Sequence, residues 1–327
     1  MRTPLVSICI PTYNGESFLR ECLDSCIDQS FDDYEIVICD DRSEDGTWHL
    51  LESYVNDNSK IRLFKNESNL GLVGNWNRCI ENARGEWIKF VFQDDFVRRD
   101  CLEKFVNEIE PGIELIVCAR NFVLSKNAPL EQLKYYNEGV RTLKNTCSQN
   151  SNTYSPEVIA GIAISNMAMN FIAEPSLTFF RKSVVNRVGV FNPHLKQICD
   201  LEFFLRLASQ CGLRYVPEKL CGFRIHEAST TSTNVENKYY DLRYIETLLF
   251  SYFLLFDPQF EVFRTNLNFF QKIKLQIYFR VKAYNAYKVG LAQSKNHPVF
   301  QANSPFPVIY SVRKGNVFIR LIALIKR

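Results

Sequence analysis

The sequence predicts an α/β protein in which a mostly parallel central sheet is flanked by helices. Two observations support this fold class. Short apolar segments alternate with amphipathic helical patterns through the first 123 residues, and such segments are typical of parallel strands covered on both faces. Polar side chains also follow three of these segments directly, where ligands bind in sheets of this kind.

The alternation can be followed along the chain. LVSICI predicts the first strand, and SFLRECLDSCID predicts a helix because its apolar residues recur at helical spacing. YEIVICDD predicts a second strand that ends in acids, and WHLLESYV predicts the next helix. The same order continues with IRLF, WNRCIENA, EWIKFVF, CLEKFVNEI and ELIVCA.

The second half of the chain is patterned differently. Residues 124–170 are polar and irregular, which predicts an insertion or a lid-like loop. SLTFFRK and LCGFRIH then predict strands, DLEFFLRLAS predicts a helix, and from about residue 236 the pattern is helical. We therefore expect one domain over residues 1–235, in two halves at 1–123 and 124–235, followed by a helical region at 236–327.

The helical region is basic and aromatic. Residues 236–327 contain 14 Lys and Arg against 5 Asp and Glu, and 19 of the 41 Phe and Tyr residues. Such a surface suits an anionic neighbour, and a membrane face is favoured over nucleic acid because no nucleic-acid-binding motif accompanies the charge. The tail NVFIRLIALIKR fits either an interfacial helix or a helix packed on the rest of the protein.

The remaining composition predicts a cytoplasmic protein that spans no membrane. Eleven cysteines are scattered without a CxxC pair, which favours reduced, buried thiols over zinc ligands or disulfides. The first residues, MRTPLVSICIPTYNGE, are too quickly polar for a signal peptide. The longest near-apolar run, LLFSYFLLF, is far shorter than the roughly 20 residues that cross a bilayer.

Acids and amides cluster at three predicted strand ends. Asn14 follows the first strand, Asp40 and Asp41 the second, and Asp94 and Asp95 the stretch KFVFQDDFVRRD. Neighbouring carboxylates resist burial unless a cation lies beside them, so a divalent metal or a solvated loop would explain the pair in QDD. Because GxxxxGK[ST] and GxGxxG are absent, a metal-assisted diphosphate site is favoured over a P-loop or a dinucleotide fold.

An ordered set of motifs gives a resemblance to a known family. The motifs are VSICIPTYNGESFLRECLDSCIDQSF, EIVICDDRSEDGT, NLGLVGNWNRCIENARGEWIKFVFQDD, EPSLTFFRKSVVNRVGVF, CDLEFFLRLA and GFRIHEAST. In this order they resemble the nucleotide-sugar transferases of glycosyltransferase family 2, which have the GT-A fold, over roughly residues 4–232. The resemblance implies that 1–123 is the nucleotide-binding half and 124–235 the acceptor half.

The resemblance implies roles for the donor-side residues. Pro11, Thr12 and Tyr13 resemble the segment that contacts the nucleotide, with the tyrosine ring beside the base. Asp41, with Asp40 as the close alternative, resembles the acid that hydrogen-bonds the base.

The same resemblance implies a metal site. Asp94 resembles the acid near the donor ribose and sugar, and Asp95 the ligand of Mg²⁺ or Mn²⁺, although Gln93 replaces the first acid of the usual DxD triplet. His226 resembles a residue near the metal and the diphosphate. Arg224, two residues earlier on the same strand face, could supply charge to the leaving group.

On the acceptor side, Asp200 resembles the general base, and Glu202 is its near competitor. Glu174 fits either an acceptor contact or a turn. An inverting transfer needs one carboxylate to take the proton from the acceptor hydroxyl, whereas a retaining glycosidase needs two flanking carboxyl groups.

The sequence therefore predicts an inverting, metal-dependent glycosyltransferase. The expected donor is a nucleotide-sugar, with UDP favoured, and the expected acceptor is a glycan, such as a polyprenyl-diphosphate-linked O-antigen or capsule intermediate at the inner face of the plasma membrane. A sugar nucleotidyltransferase is the alternative enzyme, but PTYNGE is not the Gly-rich basic loop it needs. A catalytically silent scaffold is the other alternative, although the acids of the motifs are present.

Overall fold

The computed structural model describes residues 3–124, 143, 152–226, 244–289, 299 and 305. Strands and helices alternate through the first half as the sequence predicts. The elements there are β1 (Val6–Thr12), α1 (Glu16–Ile27), β2 (Tyr34–Asp40), α2 (Thr47–Asp57), β3 (Ile61–Lys65), α3 (Gly71–Asn82), β4 (Trp87–Phe90), β5 (Phe96–Val97), α4 (Cys101–Asn107), β6 (Leu115–Cys118) and β7 (Phe122–Leu124).

The second half mixes short strands with longer helices. Its elements are β8 (Thr153–Tyr154), α5 (Pro156–Ser165), β9 (Thr178–Arg181), α6 (Val185–Val188), α7 (Cys199–Cys211), β10 (Leu213–Val216), β11 (Cys221–Ile225), α8 (Glu246–Phe256), α9 (Glu261–Thr265) and α10 (Phe269–Val289). Single 3₁₀ turns lie at Pro175–Leu177, Lys182–Val184 and Pro258–Phe260.

An eight-stranded sheet runs through the protein in the order β3-β2-β1-β4-β9-β6-β10-β8. The four strands from β3 to β4 are parallel, so their carboxyl ends lie at one edge of the sheet. β9 is antiparallel to both of its neighbours, β4 and β6, which the apolar pattern of SLTFFRK does not reveal. A three-stranded sheet, β5-β11-β7, lies beside the main one.

Burial explains the pattern of the first half. Every residue of β1 and β2 is buried, because helices cover both faces of these strands. In α1, the buried residues are Leu19, Cys22, Leu23 and Cys26. The cysteines serve as small apolar side chains here: the ten that the structure describes are all free, and nine of them are buried.

The prediction of an irregular segment at 124–170 is wrong for part of its length. Residues 156–165 form α5, whose isoleucines at 159, 162 and 164 are buried. The side chain of Ser155 caps its first turn by accepting a hydrogen bond from the backbone N–H of Val158. Residues 125–142 and 144–151 of this segment lie outside the described part of the chain.

The C-terminal helices pack on the rest of the protein. α8 contacts α10, and α9 contacts both α5 and α7. Within the residues that the structure describes, no helix combines the length and the apolar character needed to cross a membrane. The tail NVFIRLIALIKR lies outside the described residues.

Candidate active site

A cavity of about 670 Å³ opens at the carboxyl ends of β1 and β4. Its walls come from the strand ends, from the start of α3, from the segment before the 3₁₀ turn at Pro175–Leu177 and from the start of α7. The site residues predicted from the sequence that line this cavity are Pro11, Thr12, Tyr13, Asp41, Asp94, Glu174, Asp200 and Arg224.

A glutamine fixes the loop after β1. The backbone N–H of Tyr13 donates to Gln93 Oε1 at 2.8 Å, and Gln93 Nε2 donates to the Tyr13 carbonyl at 3.0 Å. A side chain at Gly15 would clash with the same glutamine, since a Cβ there would lie 2.2 Å from Gln93 Oε1. The Tyr13 ring itself is 46% exposed. Gln93 therefore holds the backbone of Tyr13 while leaving its ring free for a ligand.

The two acids after β2 have different surroundings. Asp40 is fully buried and accepts hydrogen bonds from Thr12 and Ser43, and it does not line the cavity. Asp41 does line the cavity. Its carboxylate accepts from Asn66 Nδ2 at 2.8 Å and from the N–H groups of Leu70 and Gly71 at 2.7 and 2.9 Å. Of the two, Asp41 is thus placed to meet a ligand, while it also orders the entry to α3.

The two acids of QDD have different surroundings. Asp94 lines the cavity, and its Oδ2 lies 2.9 Å from His226 Nε2. Asp95 is 2% exposed and does not line the cavity, because its Oδ1 accepts from the backbone N–H of Arg224 at 2.9 Å. Burial, then the nearby Asp94, raises the pKa of Asp95 well above its usual range. Asp94 therefore lies at the cavity surface, whereas Asp95 lies behind it with its Oδ2 buried and without a hydrogen-bond partner among the described residues.

Arg224, in β11, and His226, which follows directly after it, both contact the ring of Phe18, as their spacing of two residues predicts. The guanidinium of Arg224 lies 4.9 Å from the centre of the Phe18 ring. The centre of the His226 ring lies 4.7 Å from the centre of the same Phe18 ring. Arg224 Nε also donates to the Asp94 carbonyl at 2.9 Å, and Nη2 pairs with Glu21 Oε2 at 2.5 Å. These contacts fix Asp94 and His226 against each other.

Asp200 lies at the start of α7 in a wall of the same cavity. Its Oδ1 accepts from the backbone N–H of Leu201 at 2.7 Å, and its Oδ2 accepts from Asn170 Nδ2 at 2.9 Å. Burial, and then the Glu174 carboxylate, raises the pKa of Asp200 to about 7, and Arg120 opposes this shift. A carboxylate with a pKa near 7 is suited to general base catalysis.

Glu174 is held by a partner that sequence reasoning missed. Arg120 Nε donates to Glu174 Oε2 at 2.8 Å, and its Nη2 donates to the Asn170 carbonyl at 3.1 Å. Asn170 was missed as well, and its Oδ1 is buried without a hydrogen-bond partner among the described residues. Arg120 comes just after β6, so the rule that polar strand ends line the site could have found it.

Glu202, the competitor for the base, lies away from the cavity. It is 1% exposed and does not line the cavity. Both of its oxygens accept from Arg206, at 2.9 and 3.0 Å, and Arg206 donates further to Gln259 and the Val190 carbonyl. Glu202 therefore neutralises a buried arginine that links α7 to the C-terminal helices.

The residues of the strand ends fit a metal only if the substrate completes its ligands. Within the described ranges, no group of three or more His, Cys, Asp and Glu side chains is arranged to hold a metal ion. Mg²⁺ is commonly held by one or two carboxylates together with substrate phosphates and water. Asp94, a carboxylate that lines the cavity, matches that smaller requirement, and His226 lies beside it without lining the cavity itself.

Known proteins with similar sequences include one matching family and several bacterial relatives. Residues 7–164 match the family described as glycosyl transferase family 2. An uncharacterized protein of Mycobacterium tuberculosis is 29% identical over 233 residues, which is 71% of this chain and 70% of that protein. An uncharacterized glycosyltransferase of Haemophilus influenzae is 35% identical over 107 residues, or 33% of this chain and 43% of that protein, so this match spans less than half of the relative.

Solved structures show the same fold. S. aureus TarS 1-349 in complex with UDP-GlcNAc matches with a TM-score of 0.60 at 17% identity, covering 94% of this chain and 87% of that one. The mannosyltransferase PcManGT from Pyrobaculum calidifontis, in complex with GDP-Man and Mn²⁺, matches with a TM-score of 0.55 at 16% identity, covering 96% and 87%. The fold is GT-A, and the match over residues 7–164 together with the glycosyltransferase relatives supports a glycosyltransferase of the family 2 type.

Proposed function

We propose that the protein transfers a sugar from a nucleotide-sugar donor to an acceptor hydroxyl with inversion, and that Asp200 is the general base. The observation that carries this proposal is the position of Asp200 in the wall of a cavity that Asp41 and Asp94 also line, and burial raises the pKa of Asp200 to about 7. One carboxylate with this pKa at the acceptor side is what an inverting transfer requires.

In the proposed reaction, Asp200 takes the proton from the acceptor hydroxyl as the oxygen attacks the anomeric carbon. The new carbon–oxygen bond forms while the bond to the diphosphate breaks, and the nucleoside diphosphate leaves with the electron pair. Glu174 is committed to Arg120, so we assign it to raising the pKa of Asp200, together with burial, rather than to acting as a nucleophile. The product would therefore have the anomeric configuration opposite to that of the donor.

On the donor side, we assign the contact with the nucleotide to the segment Pro11–Thr12–Tyr13 and to Asp41, all of which line the cavity. Asp94 and His226 would hold a divalent cation, Mg²⁺ or Mn²⁺, which would neutralise the diphosphate as it departs. Arg224 stabilises this pair through its contacts with Asp94 and Phe18. UDP is the expected nucleotide, since the TarS neighbour was crystallised with UDP-GlcNAc, and GDP is the competitor because PcManGT was crystallised with GDP-Man.

We further propose that the acceptor is a growing surface polysaccharide. A relative from Bacillus subtilis named for teichuronic acid biosynthesis is 36% identical over 101 residues, and the chondroitin synthase of Escherichia coli is 27% identical over 233 residues, which is 30% of its length. A lipid-linked form of such an acceptor would place the reaction at a membrane surface.

The C-terminal helices offer a surface for that membrane contact. Phe269 and Phe270, at the start of α10, are 70% and 79% exposed, and Ile273 beside them is also exposed. Residues 266–289 contain five basic residues and no acidic one. Exposed aromatic rings next to cations are the features of a surface that inserts into the interface of an anionic membrane.

The donor site is tested by calorimetric titration of UDP, GDP, CMP and dTDP, with and without Mn²⁺. We expect one nucleotide to bind in a metal-dependent manner, with binding weakened in Asp94→Asn and much less affected in Asp95→Asn. Absence of binding by any nucleotide would favour the silent scaffold. Release of pyrophosphate from a nucleoside triphosphate would instead favour the nucleotidyltransferase.

Membrane contact is tested by sedimentation of the full chain with vesicles of phosphatidylcholine, with and without phosphatidylglycerol. We expect binding to the anionic vesicles that is lost in the double variant Phe269→Ser, Phe270→Ser. Val262→Ser, at another exposed apolar residue, is the control and should bind normally. Equal binding by all three proteins would rule out this surface.

A further inference from the structure

The cavity wall next to Asp200 is held by a side chain from the C-terminal helices. Glu246, in the first turn of α8, accepts hydrogen bonds from three consecutive backbone N–H groups. Its Oε1 accepts from Lys196 at 2.9 Å, and its Oε2 accepts from Gln197 at 2.8 Å and Ile198 at 3.2 Å. Glu246 is buried, so these bonds are shielded from water.

The three residues that Glu246 holds belong to the site. Lys196, Gln197 and Ile198 line the cavity, as do the next three residues along the chain, among them Asp200. Ile198 is also the N-cap residue of α7, and its own side chain provides no cap. The backbone that enters α7 is therefore held by a carboxylate from another helix, 48 positions beyond Ile198 along the chain.

We infer that Glu246 is a positioning residue for the transfer reaction and that it makes the C-terminal helices part of the catalytic unit. This inference rests on the proposed role of Asp200 as base. A carboxylate that binds three adjacent N–H groups fixes the path of the backbone at that point. Because Asp200 follows two residues later, its carboxylate is aimed at the cavity by the same bonds.

The chemistry of the cluster explains why a carboxylate is needed there. Three donors converge on Glu246, and a carboxylate is acceptor-only, whereas an amide would turn its NH₂ group toward one of them. The negative charge also lies at the start of α7, where the partial positive charge of the helix favours an anion. Glu246→Gln therefore keeps the shape of the side chain but replaces one of its two acceptor oxygens by a donor, so it cannot accept all three backbone hydrogen bonds.

The test compares Glu246→Gln with Glu35→Gln in the full-length protein. Glu35 is an equally buried carboxylate that accepts from Ser7 and Arg84. It lies near the beginning of β2, at the end of the sheet away from the cavity. Both variants lose buried hydrogen bonds, so both should lower Tm, and only the first should change catalysis.

For Glu246→Gln we expect kcat to fall about 10- to 100-fold, in line with misplacement of a catalytic group by about 1 Å. Nucleotide affinity should stay unchanged, because Asp41 and Asp94 lie on other elements. The midpoint of the pH–rate profile should move below that of the native protein, since a loosened wall admits water to Asp200. Glu246→Asp keeps the charge and should restore part of kcat.

Three outcomes would separate this inference from the proposed function. If the native protein binds no nucleotide and transfers no sugar, the proposed function itself fails. If the native protein is active and Glu246→Gln matches it in kcat and in pH profile, the positioning role is wrong. If both Gln variants lose activity only in proportion to their loss of folded protein, Glu246 has a structural role alone, and the inference is likewise overturned.

Discussion

Asp41 and Asp200 line the same cavity, but the protein surrounds the two carboxylates differently. Asp41 accepts three hydrogen bonds, two of them from the backbone that enters α3. Asp200 accepts one bond from its own helix and one from an amide, and burial beside Glu174 raises its pKa to about 7. Asp41 is thus held in a fixed geometry, whereas Asp200 is an acid whose charge can change near neutral pH.

This difference suggests a division of labour. A donor site must hold its acceptors in place for the ligand, and hydrogen bonds such as those to Asp41 do so while leaving acceptor capacity free. A general base must gain and lose a proton near neutral pH, which requires an environment that disfavours its charged form. Each of the following predictions alters one side of the cavity and asks whether the other side is affected.

The largest effect is expected at Asp200. Asp200→Asn removes the base, and the transfer rate should fall about 100- to 10,000-fold, with nucleotide binding and Tm kept. Its former competitor provides the contrast, because Glu202→Gln should lower stability by about 3 to 5 kcal/mol by leaving Arg206 uncompensated. Transfer kinetics and thermal unfolding measure the two results, and the opposite pattern would exchange the roles of the two acids.

A smaller loss is expected on the donor side. Asp94→Asn should weaken the metal-dependent part of nucleotide binding by about 10- to 100-fold, because it removes the acid that faces the cavity beside His226. In Asp95→Asn the altered group faces Arg224 instead, so the metal response should persist. Titration of Mn²⁺ in the presence of the nucleotide measures both. A greater loss of metal-dependent binding in Asp95→Asn than in Asp94→Asn would assign the metal to Asp95 instead.

The pH profile provides a third comparison. Transfer needs ionised Asp200, so kcat should rise between about pH 6 and pH 8 with a midpoint near 7. Glu174→Gln removes a charge that raises this pKa and should move the midpoint to lower pH, while Arg120→Gln should move it to higher pH. Arg187→Gln, which breaks an ion pair with Glu114 elsewhere, should leave it unchanged. Shifts in the same direction for both cavity variants would contradict the electrostatic explanation.

The smallest effect is expected at Gln93. Gln93→Ala removes the two hydrogen bonds to the Tyr13 backbone, and nucleotide affinity should fall about 5- to 10-fold, the size of one or two net hydrogen bonds. The pH midpoint of transfer should not move, since Asp200 lies on another element. Gln210→Ala, a glutamine on α7 that bonds Arg187, is the matched control. A change in pH midpoint would mean that the two sides of the cavity are coupled.

Much of the donor side follows from local sequence. The apolar strands and the polar residues after them predict where β1, β2 and β4 end, and parallel strands bring those ends to one edge. Arg224 and His226 are also predictable as a pair, because alternate residues of an extended chain point to one face. The guanidinium of Arg224 and the ring of His226 both contact Phe18. Local patterns carry this information because the side-chain periods of strands and helices are set by local backbone geometry.

Other choices required the tertiary structure. Asp200 and Glu202 are two residues apart on α7, about 200° around the helix, so only one can face the cavity, and packing against Arg206 decides which. Asp94 and Asp95 also point in different directions because of a long-range partner: the backbone N–H of Arg224, in β11, donates to Asp95 Oδ1. Glu246 accepts a hydrogen bond from the backbone of Lys196, which lines the cavity, although the two residues are 50 positions apart in the chain. The sequence thus determined the elements and their polar ends, whereas long-range packing decided which side chains face the cavity, because burial depends on partners that lie far apart along the chain.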